Sequence, residues 1–72
     1  MGYSLYEAKT GQSYIITSVP DYDLLSSIGI IEGVKVKVES KYALGGPVSV
    51  ALSTRKIAIG KDVATKVLVK EA

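Results

Sequence analysis

Two glycines four positions apart, Gly29 and Gly33, sit inside the run Ser26-Ser27-Ile28-Gly29-Ile30-Ile31-Glu32-Gly33, between a short apolar helical stretch and an alternating strand. Glycine adopts positive φ without a Cβ clash, so Gly29 is expected to end the helix in a left-handed cap and Gly33 to complete the turn into the strand. Ile30 and Ile31 between them are expected to pack inward. A chain held to this corner must turn sharply from helix to sheet within a few residues.

The length limits what the corner can belong to. Seventy-two residues without cysteine or histidine allow one domain, residues 1–72, built on one small core without disulfides and without the ligands of an ordinary structural zinc site. A regular β core, helped by self-association, is the expected source of stability. The N-terminus, Met1-Gly2-Tyr3-Ser4-Leu5-Tyr6-Glu7, lacks a basic segment followed by an apolar one and does not read as a signal peptide. The longest uncharged run, Tyr42 to Thr54, is too short to cross a bilayer as a helix. A cytoplasmic protein is the expectation.

Around the corner the pattern is mainly β. Ser13 to Val19 is rich in β-branched and aromatic residues and reads as a first strand, stopped by Pro20. Asp21 follows as the expected N-cap of a helix over about Tyr22 to Ile28, with Leu24, Leu25 and Ile28 on one arc facing the core. After Gly33, Val34, Val36 and Val38 alternate with Lys35, Lys37 and Glu39. Tyr42-Ala43-Leu44-Gly45-Gly46-Pro47 reads as a hairpin tip. Val48, Val50 and Leu52 alternate through the next strand, Ile57 and Ile59 point inward from a fourth, Gly60 to Val63 forms a single helical turn, and Thr65 to Lys70 is the last strand, burying Val67 and Val69. The expected fold is a small SH3-like barrel of about five antiparallel strands, with one short helix after the first strand and a single turn before the last. A five-stranded OB-fold is the rival, but it carries its extra helix between strands three and four.

The same residues resemble the FeoA family of bacterial ferrous-iron transport. Leu5 through Gly11 is similar to the family's opening element, and Leu25-Ser26-Ser27-Ile28-Gly29-Ile30 to its helix-ending Leu-x-x-Leu-Gly-Leu/Ile motif. Gly33 matches the second glycine, Gly45-Gly46-Pro47 the Gly-Asp-Pro turn, and Ile57-Ala58-Ile59, Ala64 and Val67-Leu68-Val69 the closing block. On this resemblance Gly11, Gly29, Gly33, Gly45 and Gly46 are structural. Three charged family positions are replaced: Leu24 stands for an arginine, Gly46 for the aspartate of the turn, and Gly60 for an arginine. The resemblance implies a non-enzymatic cytosolic accessory that binds or regulates the FeoB-type membrane transporter. FeoA-like domains also form the tails of some iron-dependent repressors, but this chain shows no helix-turn-helix segment.

The side chains present point the same way. Without histidine or cysteine, and with no motif that pairs a serine with a base, catalysis is not expected. No cofactor or metal site is expected: Asp21 and Asp23, the nearest acidic pair, read as a cap and a first-turn charge rather than iron ligands. Nine basic and seven acidic residues give a net charge of +2, and eight of the nine cations are lysines.

Lys35, Lys37 and Lys41 share a strand face and make a small nucleic-acid-binding barrel the alternative. Glu39 interrupts them and no aromatic alternates with them to stack bases, so nucleic acid is not expected. A proline-rich ligand in an aromatic groove is a third, minor reading. Five tyrosines with no phenylalanine or tryptophan suit half-exposed contacts. Tyr22, Leu24, Ser27, Tyr42 and Leu44, on the helix and the glycine-rich tip, are therefore the candidate partner-binding residues. Tyr3, Tyr6, Tyr14 and Tyr42 could equally cover the barrel ends.

Overall fold

Alternation along the central strands carries the architecture. In the computed structural model, which describes residues 3–42 and 44–72, Tyr14 and Ile16, Val36 and Val38, and Val48 and Val50 all turn into one core, with their sequence neighbours partly or fully in water. The strands are β1 (Tyr3–Ser4), β2 (Ser13–Ser18), β3 (Lys35–Lys41), β4 (Val48–Ala51), β5 (Lys56–Ile59) and β6 (Leu68–Glu71). They form one antiparallel sheet in the order β1-β6-β2-β3-β4-β5. Full burial of each Leu, Ile or Val in this core is worth about 1.5–3 kcal/mol relative to exposure.

The sheet curls because two of its ladders slip. The β2–β6 register shifts between Ile16 and Ser18, and the β3–β4 register between Val38 and Ser40; such irregularities bend a strand and increase its twist. The two outer strands, β1 and β5, are not hydrogen-bonded to each other. Helix α2 (Lys61–Ala64) follows β5 and packs against a 3₁₀ turn, Leu5–Glu7, next to β1. The Leu5 amide donates to the Val67 carbonyl at 2.7 Å, and Leu5, Ala64 and Val67 are all buried. This is the mainly β, SH3-like barrel expected, with six strands rather than five.

The sixth strand is β1, which lies in what reads as a lead segment. It is short, and the 3₁₀ turn after it is fixed by a capping box: the Ser4 hydroxyl accepts from the Glu7 amide, while the Glu7 carboxylate accepts from the Ser4 amide and hydroxyl. Helix α1 (Asp23–Ser27) accordingly follows the second strand.

Three local expectations are corrected. Tyr22, not Asp21, is the N-cap of α1, and it makes no side-chain cap bond. The Tyr22 amide donates to the Pro20 carbonyl at 2.8 Å, so a tight turn at Asp21 delays the helix by one residue. Leu24 faces solvent: Leu25 enters the core, Ile28 is half-buried, and Leu24 lies one step further round at the rim. Ile31 is exposed rather than inward, because Ile30 takes the core position and Ile31 opens the next turn, in which the Val34 amide donates to the Ile31 carbonyl.

The glycine corner forms as expected. Gly29 (φ 93°) follows the C-cap Ile28. The Gly29 amide donates to the Ser26 carbonyl at 3.1 Å and the Ile30 amide to the Leu25 carbonyl at 2.8 Å, the bond pair of a Schellman motif. Gly33 (φ 89°) occupies the third position of the Ile31–Val34 turn, where type II geometry needs a positive φ. Its amide donates to the Ile16 carbonyl at 2.8 Å, tying the turn to β2. Gly11 and Gly45 also have positive φ, and Gly46 is half-buried in the hairpin tip. Tyr14 is a core residue rather than an end cover: its hydroxyl accepts from the Lys9 amide at 2.9 Å, and its ring meets Tyr3 edge-on. The reading of the N-terminus as carrying no signal peptide rests partly on Met1 and Gly2, and the tip includes Ala43; these three positions lie outside the described residues. No helix among the described residues is long and apolar enough to cross a membrane.

Candidate protein-interaction surface

α2 is the element that relates the two stretches named by sequence. At one end, Lys66, just beyond α2, donates from Nζ to the Tyr22 hydroxyl at 3.1 Å and lies over the Tyr22 ring at 5.7 Å. At the other end, a Cβ added to Gly45 would meet Lys61 Cδ at 3.6 Å, so the hairpin tip rests against the first turn of α2. Lys61 also lies 5.6 Å over the Tyr6 ring, and Lys41 Nζ donates to the Tyr6 carbonyl at 3.0 Å. The start of α1 and the β3–β4 tip therefore both flank α2.

Between α1 and the outer strand β5 runs a shallow groove of about 150 Å³, lined by Leu24, Leu25, Ile28, Ala58, Ile59 and Val63 together with Gly60. No charged side chain lines it. Leu24, 69% exposed, stands on its rim. At the tip Leu44 is fully exposed and has φ 62°. A left-handed backbone costs a non-glycine residue about 1–2 kcal/mol, and this leucine gains no burial in return.

Tyr22, Leu24, Tyr42 and Leu44 are all exposed apolar side chains. Tyr22 is the N-cap of α1 and Leu24 lies in its first turn, while Tyr42 and Leu44 share the tip. Ser27 is exposed on α1 but outside the groove lining, with its hydroxyl turned back to the Asp23 carbonyl at 3.4 Å. Ala58 and Val63 were not singled out by sequence, although a small residue at 58, between two isoleucines, is the signal that could have indicated an open groove wall. The lysine anchors of Tyr6 and Tyr22 span 35 and 44 positions of chain, a separation no local pattern reveals.

The lysine row considered for nucleic acid is broken up. Lys41 is held by the Tyr6 carbonyl, and Glu39 is bridged by Lys56 at 3.4 Å, so among the described residues Lys35 and Lys37 remain as the free cations of that face. Among the described residues no three carboxylate, histidine or cysteine side chains gather as a metal site would need. The donor set does not fit a tightly held iron ion.

Comparison with solved structures extends the geometry. An iron uptake regulatory protein (FeoA) crystal structure superimposes with TM-score 0.89 at 26% identity, covering 100% of this chain and 99% of that one. A solution structure of FeoA protein from Chlorobium tepidum gives TM-score 0.83 at 26% identity over 94% of this chain and 69% of that one. A manganese-dependent transcriptional repressor shares the fold, with TM-score 0.88 at 21% identity; 99% of this chain is covered but only 42% of the repressor. Comparison with curated protein sequences finds no match. The model of the FeoA domain matches residues 3–71, from the first strand through the last, and the chain belongs to the FeoA domain family.

Proposed function

We propose that this protein is a non-enzymatic accessory of ferrous-iron transport that binds the cytosolic part of a FeoB-type transporter through the α1–α2 face and the β3–β4 tip. The observation that carries the reading is the uncharged groove beside α1 with Leu24 on its rim, in a chain of the FeoA domain family. Exposed apolar side chains next to a concave apolar surface suit docking of a partner's aliphatic or aromatic anchor. Tyr22, Leu24, Ser27, Tyr42 and Leu44 are the proposed contacts, and Leu24, in place of the family's arginine, makes this docking surface more apolar than charged. The same apolar face is the proposed site of any self-association.

The protein acts here by binding free energy alone. It changes the transporter's assembly or nucleotide-dependent state only to the extent that it binds one state better than another. NMR titration of labelled protein with the transporter's cytosolic domain is the test, with Fe²⁺ and a short RNA as controls. Saturable shifts centred on residues 22–28 and 42–46 are expected. Shifts confined to Lys35 and Lys37, and produced by RNA alone, would replace the reading with a nucleic-acid-binding barrel.

A further inference from the structure

A second groove lies at the other end of α1 and has the opposite character. It begins at the Gly29 corner, passes Ile31, Lys35, Leu52 and Arg55 in a stretch of about 450 Å³, and continues over the outer face of the sheet in a stretch of about 310 Å³ that reaches Lys37 and Ser13. Lys35, Leu52 and Ser53 line both stretches. Three cations and no acid therefore line the two adjoining stretches, which together make a furrow. Among the described residues none of the three cations is in an ion pair, the one bridge being Lys56 to Glu39.

The corner itself builds this furrow. A Cβ at Gly29 would meet Leu52 Cδ1 at 3.2 Å and the Arg55 guanidinium at 3.4 Å, so the absence of a side chain at Gly29 lets the β4–β5 turn close on the helix end. That places Arg55 at one end of the furrow, Lys35 along it and Lys37 near the other end. Leu52 is half-buried against the core and Ile31 is exposed; together they give the furrow an aliphatic floor.

We propose that this furrow binds an extended acidic segment of a partner protein, with an aliphatic side chain set on Leu52 and Ile31 and carboxylates facing Arg55 and Lys35. Charge complementarity selects the occupant: unpaired cations around an aliphatic floor favour alternating Glu or Asp and Leu or Ile. Arg55 offers a carboxylate a bidentate partner that the lysines do not. Nucleic acid is disfavoured because no aromatic side chain lines the furrow to stack a base. Three strands of the sheet lie under it, so at about 4.8 Å per strand it accommodates roughly three extended residues. The surface is separate from the apolar groove beside Leu24 and does not depend on that groove being occupied.

The test is an amide-detected NMR titration of the labelled full chain at low salt with a short synthetic peptide alternating Glu and Leu. A peptide alternating Lys and Leu and an oligouridylate serve as competing probes. Saturable shifts at Lys35, Leu52, Ser53 and Arg55 with the acidic peptide alone are expected, weakening as salt is added. Lys35→Glu with Arg55→Glu is expected to lower the affinity at least about tenfold, equivalent to about 1.4 kcal/mol, while Leu24→Gln leaves it unchanged. Both altered side chains are exposed. Should the double variant fail to fold, Arg55→Gln alone is expected to weaken binding in the same direction. No shifts at these residues, equal shifts with the basic peptide, or tighter binding of the oligouridylate would overturn the proposal.

Discussion

The Ile30 amide donates to the Leu25 carbonyl at 2.8 Å while both side chains are buried, Ile30 completely. This backbone bond and its accompanying apolar contact fix the angle at which α1 leaves the barrel, and they require the residue between Ile28 and Ile30 to have positive φ. Gly29→Ala is expected to cost more than Gly33→Ala. Both carry the backbone penalty of about 1–2 kcal/mol, but only at Gly29 does the new methyl meet a neighbour, Leu52 Cδ1 at 3.2 Å. Urea unfolding of the two variants measures the difference.

Leu24 and Leu25 are adjacent and are expected to behave oppositely. Leu25→Ala removes a core side chain 5% exposed and should cost about 2–5 kcal/mol. Leu24→Gln should leave stability within about 0.5 kcal/mol, yet weaken binding of the transporter's cytosolic domain. Denaturation midpoints and calorimetric titration of the same two proteins separate the effects. Loss of stability in Leu24→Gln would place that side chain in the core rather than on the rim.

The capping box at Ser4 secures the 3₁₀ turn that faces α2. Ser4→Ala removes the hydroxyl that accepts from the Glu7 amide and is expected to cost about 1 kcal/mol. Hydrogen exchange should show the Leu5 amide, bonded to Val67, among the groups whose protection falls.

Tyr3 supplies an alkaline signature. The neighbouring Tyr14 hydroxyl, partial burial and the Glu71 carboxylate push its phenol up to about 12, against an ordinary value near 10. The folded state thus favours the neutral phenol. Its contribution to stability is complete below about pH 10 and is lost as pH rises from there through about 12. Phenolate absorbance should show the Tyr3 phenol ionising above its ordinary value, and Tyr3→Phe should flatten the decline in stability over that window.

Much of the barrel was legible because its determinants are local. The alternation of Val36 and Val38 with Lys35 and Lys37, and the backbone freedom of Gly29 and Gly33, each specify structure within a few residues. The orientation of Leu24 was not legible, since a helix of five residues presents too few side chains to define its buried arc. Ser4-x-x-Glu7 is itself a capping-box pattern, so the 3₁₀ turn could have been read; the two-residue strand before it could not, because its pairing partner is β6. The tyrosine–lysine contacts and the furrow at Gly29 likewise arise from tertiary closure. Of the candidate surface, the sequence indicated Tyr22 and the glycine-rich tip, but neither the outward turn of Leu24 nor the groove that lies beside it.

Pairing of β1 with β6 sets Tyr3 opposite Val69 and Ser4 opposite Leu68. The entry and exit of the polypeptide are consequently neighbours on one ladder, so the barrel can be grafted onto the end of a host protein, or spliced into one of its loops, without either junction crossing the other. Such portability accords with the same fold covering 42% of a manganese-dependent repressor chain and 99% of a FeoA chain.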